Sequence, residues 1–198
     1  MIENLFPTPV GFYELDKPVT EKELQFIKDL ETRSNDGNTT SVDNYLFKSK
    51  EMKRIAAFID RCVQDYFQAV YTPKHKVKPY VTQSWANYTN KGQYHHKHAH
   101  PNSFISGVFY VSAVPDRDRL YFYKEGYQQI KVPTEDWNAW NSESWWFPVE
   151  SGKVVIFPSN LSHMVQTVQT KDTRISIAFN TFLEGVIGDN LNISELLL

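Results

Sequence analysis

From residue 79 onward the apolar residues of this chain recur at every second position, in short runs broken by turn residues. A period of two puts successive side chains on opposite faces of a strand. Eight runs read as strands: 80–88, 95–100, 104–112, 119–123, 128–132, 153–157, 163–168 and 173–182. Most are separated by turn formers, among them Asn90-Lys91-Gly92, Pro115-Asp116, Ser151-Gly152 and Lys171-Asp172. Many short strands with such turns, following helices, predict a mainly β (α+β) chain: a β-sandwich or jelly roll with helices packed outside. The stretch 133–148 fits neither period. With Trp137, Trp140, Trp145, Trp146 and Phe147 it reads as a long, ring-rich loop.

Before residue 79 the period is helical. Thr20-Glu21-Lys22-Glu23 is a capping box, and Leu24, Ile27 and Leu30 follow on one side. A polar loop, Ser34-Asn35-Asp36-Gly37-Asn38, should end that helix. In a second helix Ile55, Phe58, Ile59, Cys62, Val63, Tyr66, Phe67 and Val70 form one wide apolar face, with Pro73 beyond its end. Such a face needs something flat to cover. Cys62, the one cysteine, is core filler on this reading and leaves no intrachain disulfide.

At 198 residues the chain suits one domain. We expect a helical part at 1–78, a jelly-roll core at 79–182 and a C-terminal tail at 183–198. A net charge of −2 argues against nucleic-acid binding, which rests on neutralising phosphates. No apolar run approaches the roughly 18 residues of a membrane span, so no membrane partner is expected. Met1-Ile2-Glu3-Asn4 has no basic region before an apolar stretch, so the expected location is cytoplasmic.

The chemistry concentrates in histidines. In His95-His96-Lys97-His98-Ala99-His100 an extended strand places His96, His98 and His100 on one side and His95 on the other. Imidazoles at i and i+2 can converge on one metal: iron, zinc, copper or nickel. Later, His163 opens a strand after Phe157-Pro158-Ser159. A hairpin through 163–168 and 173–180, with an even-numbered loop, would pair His163 with Ala178, Val165 with Ser176 and Thr167 with Arg174. Cross-strand partners share a face. Arg174 would then offer a bidentate fork to a carboxylate beside the histidine, with Ser176 adding a hydroxyl. A 2-oxo diacid, one end on the metal and one on Arg174, suits that layout.

These residues resemble a family. His98-x-His100-Pro101-x-Ser103-x-x-Ser106-Gly107-x-x-Tyr110, then Gly152-x-x-x-x-Phe157-Pro158-Ser159-x-x-x-His163, then Arg174-Ile175-Ser176-x-x-Phe179-Asn180 is similar to the 2-oxoglutarate/Fe(II) oxygenases. The opening Leu5-Phe6-Pro7-Thr8-Pro9-Val10 looks like the bacterial and phage branch. The resemblance implies a double-stranded β-helix and oxygen activation by oxidative decarboxylation of 2-oxoglutarate. It implies Fe(II) held by His98, His100 and His163, and 2-oxoglutarate held by Arg174 and Ser176. Tyr110 and Asn87 join as candidates for the cosubstrate site, and Trp85 and Tyr88 for its lining. His96 is a candidate for orienting a metal ligand. One departure stands out. Where the usual triad has a carboxylate, this chain has His100.

The function expected is thus a non-haem dioxygenase, a hydroxylase of some small molecule or peptide. Two alternatives stay open. One is a cupin-like three-histidine dioxygenase that binds its substrate directly. The other is a non-catalytic metal- or sugar-binding jelly roll using 133–148 as a contact surface.

Overall fold

The computed structural model describes residues 1–126, 130 and 132–198. In chain order it contains β1 (Gly11–Glu14), α1 (Glu21–Lys28), β2 (Thr32–Ser34), β3 (Thr39–Ser41), α2 (Lys53–Tyr71) and β4 (Val77–Thr89). Then come β5 (His95–His98), β6 (Ile105–Ser112), β7 (Arg119–Tyr123), β8 (Ser144–Pro148), β9 (Lys153–Pro158), β10 (His163–Val165), β11 (Arg174–Ile187) and β12 (Leu196–Leu197). Two antiparallel sheets result. The larger runs β1-β9-β6-β11-β4-β3-β2, with β12 added to β11, and the smaller runs β5-β10-β7-β8.

Alternation along the large sheet builds two cores. Ile105, Phe109, Val154, Ile156, Ile175, Ile177 and Phe179 face the helices and pack with Ile55, Phe58, Ile59, Val63, Tyr66 and Phe67 of α2. The intervening residues Val108, Tyr110, Val155 and Phe157 face the small sheet and meet Leu120 and Phe122. The apolar face of α2 thus covers the outside of the sandwich, as its period predicts. Val70 departs from that stripe, being 36% exposed in the last turn. The helix ends at Thr72 in a left-handed conformation, just before Pro73. At α1 the capping box forms, and Glu23 also pairs with Arg54 of α2 at 2.7 Å. Burial works against the Glu23 carboxylate, but the bonds from Arg54 and Thr20 outweigh it and hold its pKa below the usual range. That pair ties the two helices together.

Gly107 has a packing reason to be glycine. It lies opposite Phe179 in the β6–β11 register, and a Cβ there would sit 2.3 Å from the Phe179 ring.

The structure corrects several sequence expectations. The stretch 133–148 is not all loop, because Ser144–Pro148 is the edge strand β8. It pairs with β7, setting Trp145 opposite Phe122 and Trp146 opposite Tyr121. Its consecutive large rings mask the alternation, and most of the strand remains accessible. The expected hairpin of 163–168 with 173–180 does not form. β10 stops at Val165 and pairs with β5 and β7, while β11 pairs with β4 and β6 in the other sheet. β11 also runs on to Ile187, and β12 pairs back onto it, within the segment expected as a tail. The strand expected at 128–132 falls mostly on residues outside those described.

Candidate metal centre

The double-sheet architecture leaves a pocket between the sheets at the β5–β10 end. It is lined by Trp85, Asn87, His95, His98, His100, Tyr110, His163, Arg174 and Ser176, together with apolar residues. β5 and β10 set His98 directly opposite His163, with ring centroids 4.4 Å apart. His100 follows on the loop, and its Nε2 lies 3.2 Å from Nε2 of His163. One ligand atom from each of His98, His100 and His163 lies within 4.8 Å of the others, close enough for a single ion.

Backbone carbonyls fix how two of these rings present themselves. His98 Nδ1 lies 2.8 Å from the carbonyl of His96, and His163 Nδ1 lies 3.0 Å from that of Leu161. An Nδ1–H donated there leaves the Nε2 lone pair free for a metal. His96 therefore orients His98 through its main chain rather than its ring. Burial depresses the pKa of all three imidazoles, with the neighbouring histidines adding to it. His100 is pushed down to about 4, and His163 well below its usual value. All three are neutral near pH 7, the form that binds metal.

The loop that carries His100 is held by residues the sequence offered only as motif spacing. The His100 N–H donates to the carbonyl of Ser159. Ser159 Oγ donates to Ser103 Oγ at 2.7 Å, and Ser106 Oγ bonds both Ser159 Oγ and Asn180 Oδ1 at 2.8 Å. Asn102 completes the turn with φ 54°, a left-handed value that Asn tolerates. The serines and Asn180 are thus positioning groups. Their shared spacing was visible in the sequence, but nothing there showed that they bond one another.

Arg174 arrives from the large sheet. It is 3% exposed, and none of its three side-chain nitrogens has a hydrogen-bond partner among the described residues. Its guanidinium lies 5.3 Å from the Tyr110 ring centroid. Tyr110 is fully buried, its hydroxyl makes no hydrogen bond among the described residues, and burial raises its pKa to about 12 even against the pull of Arg174. Asn87 Oδ1 is likewise buried and without a hydrogen-bond partner among the described residues. Ser176 sits beside Asn87 in register and lines the same pocket. No Asp or Glu is among the lining residues.

The structure therefore gathers His98, His100, His163, Arg174, Ser176, Tyr110, Asn87 and Trp85, though Arg174 meets His163 across the two sheets rather than along a hairpin. Two residues differ from expectation. Tyr88 points to the helix side, where its hydroxyl donates to the carbonyl of Ile27. His95 lines the pocket instead of pointing away, stacked on His98 at 4.6 Å. The cause is a bulge: two steps on β10 span three on β5, so strict alternation fails there.

Comparison with known proteins adds three findings. Residues 83–180 match the model of a family described as "Putative 2OG-Fe(II) oxygenase". The fold is similar to that of HygX from Streptomyces hygroscopicus, crystallised with nickel, 2-oxoglutarate and hygromycin B (TM-score 0.60, 14% identity, covering 88% of this chain and 82% of that one). It is also similar to a Pseudomonas putida prolyl-4-hydroxylase (TM-score 0.58, 11% identity, covering 88% and 94%). These two likenesses show the double-stranded β-helix fold. No curated protein matches at significant similarity.

Proposed function

Because this chain belongs, through residues 83–180, to the 2OG-Fe(II) oxygenase family, we propose that His98, His100 and His163 hold Fe(II) and that Arg174 and Ser176 receive the distal carboxylate of 2-oxoglutarate. The observation that carries this is Arg174. A buried guanidinium with no partner is costly unless an anion completes it. The pocket lining supplies no acid, and the acids nearest on the other side of Arg174, Asp116 and Asp118, make no hydrogen bond to it, so a ligand carboxylate would complete it. A diacid long enough to reach the histidines fits that need, and Arg174 offers it two parallel hydrogen bonds.

The donor set also fits the metal. Three neutral imidazoles whose ligand atoms lie within 4.8 Å of one another suit iron(II). When bound, the iron and 2-oxoglutarate supply oxygen activation by oxidative decarboxylation. The chain's own residues do the rest. Arg174 and Ser176 orient the cosubstrate, Tyr110 and Asn87 offer it a hydroxyl and an amide, and the rings of Phe122 and Phe157 pack against that of His163. The prime substrate we place as a small molecule or a peptide. Both classes occur among proteins of this fold: hygromycin B is bound to HygX, and a Trichoplax adhaerens prolyl hydroxylase is complexed with a peptide fragment. Among the described residues no helix is long and apolar enough to cross a membrane. A cytoplasmic site of action is part of this reading.

One observation favours a second reading. His100 stands where a carboxylate is usual, which is also the ligand set of a three-histidine dioxygenase that binds its substrate directly. Succinate release separates the two. The proposed enzyme, supplied with Fe(II), oxygen and 2-oxoglutarate alone, should form succinate slowly, and Arg174→Ala should abolish it. Succinate formation that is absent in the wild type, or unaffected in Arg174→Ala, would favour the second reading.

A further inference from the structure

The pocket contains more imidazole than one metal triad uses. The β5 bulge turns His95 inward, so that its ring stacks on His98 at 4.6 Å and lies 5.2 Å from that of His96. One ligand atom from each of His95, His96 and His98 lies within 4.8 Å of the others. All three side chains are partly open to solvent, unlike His163. His96 Nδ1 is buried and makes no hydrogen bond among the described residues, but Asp36 Oδ2 lies 3.4 Å from it. An Nδ1–H facing that carboxylate leaves Nε2 of His96 as the lone pair for a metal, with negative charge beside the cluster. That acid is held in place, because the Tyr94 N–H donates to the carbonyl of Gly37 and the Tyr94 hydroxyl to Asp36 Oδ1.

We propose that His95, His96 and His98 form a second divalent-cation site on the outer side of the pocket, of the zinc or copper class, that competes with the deep triad for His98. Imidazole donors take iron, nickel, copper and zinc alike, and divalent affinity rises toward copper, so copper and zinc are the strongest competitors. Competition follows from one atom. His98 Nδ1 is committed to the His96 carbonyl, which leaves Nε2 as its single lone pair. An ion bound on the outer side takes that lone pair and leaves the inner ion two histidines. Zinc or copper would thus displace the inner metal by capturing a shared ligand.

Co(II) is a suitable probe, titrated anaerobically and followed by its visible bands and by calorimetry. The wild type should bind one ion per chain. His100→Ala/His163→Ala, which disables the inner set, should still bind one. Adding His96→Ala should weaken that binding by more than the roughly 10–100-fold typical of losing a partner outside the coordination sphere. If the double alanine chain does not fold, His100→Gln/His163→Gln carries the same comparison. Two ions in the wild type would overturn the competition. A disabled-triad chain that binds none, beside a wild type that binds one, would overturn the outer site and leave the inner triad standing. Wild-type binding lost with His95→Ala/His96→Ala but kept in His100→Ala/His163→Ala would support the outer site and count against the triad.

Discussion

His98 and His163 are register partners across β5 and β10, and their ring centroids lie 4.4 Å apart. The small sheet therefore builds the histidine side of the pocket, with His100 delivered by the serine-held loop that follows. Arg174 and Ser176 come from the large sheet. The site spans the interior of the sandwich, so its geometry depends on how the two sheets are packed.

The Arg174 side chain should dominate cosubstrate affinity. A hydrogen bond to a charged group contributes roughly 1.5–3 kcal/mol, and about 1.4 kcal/mol is a factor of ten. Arg174→Ala should weaken 2-oxoglutarate binding at least about tenfold. Arg174→Lys keeps the charge but loses the fork, and should fall between the two. Metal affinity should barely change. Calorimetric titration of metal-loaded variants checks all three.

The large sheet depends on its cover. Phe58 is buried against Phe109, with ring centroids 6.3 Å apart. Phe58→Ala should cost about 3–5 kcal/mol. Denaturant unfolding with an unchanged midpoint would show that the α2 stripe is not packed as described.

Gly107→Ala tests the same layer from the strand side. The added Cβ meets the Phe179 ring at 2.3 Å, and Phe179 is fully buried, so the ring has nowhere to swing. Overpacking of this kind costs about 1–3 kcal/mol. Gly107→Ala/Phe179→Leu should recover part of the loss, read as the thermal midpoint.

Acid should loosen the metal-free protein through the buried histidines. The pKa of His100 falls from 6.5 to about 4 and that of His95 from 6.5 to about 3, burial being the main cause in both. Above pH 6.5 these groups are neutral folded and unfolded, and they contribute no slope. Below it the unfolded chain takes protons that the folded chain refuses, so stability falls from pH 6.5 down to about 4 through His100 and to about 3 through His95. His100→Ala should flatten that decline. Unfolding midpoints of the metal-free protein at stepped pH give the comparison.

Much of this was legible from the residues alone. The two cores follow from alternation, and the α2 stripe from its 3.6 period. What failed did so for local physical reasons. Alternation assigned His95 to the wrong face because a bulge carries no distinctive residue in His-His-Lys-His. Adjacent strands in the sequence suggested a hairpin, but in a sandwich they lie in opposite sheets, so Arg174 reached the pocket by another route. β8 was hidden by rings on both faces of an edge strand. The serine net around His100 could not be read at all, since hydrogen bonds among distant side chains leave no period.

One titration tests the metal and cosubstrate assignment most directly. Fe(II)-loaded protein, kept anaerobic, is mixed with increasing 2-oxoglutarate while visible absorption is recorded. Chelation of the oxo acid to iron held by His98, His100 and His163 should produce a metal-to-ligand charge-transfer band that saturates at one equivalent. The band should be absent in His163→Ala and should require far more cosubstrate in Arg174→Ala. A wild type that binds Fe(II) yet develops no band at saturating 2-oxoglutarate would contradict the assignment.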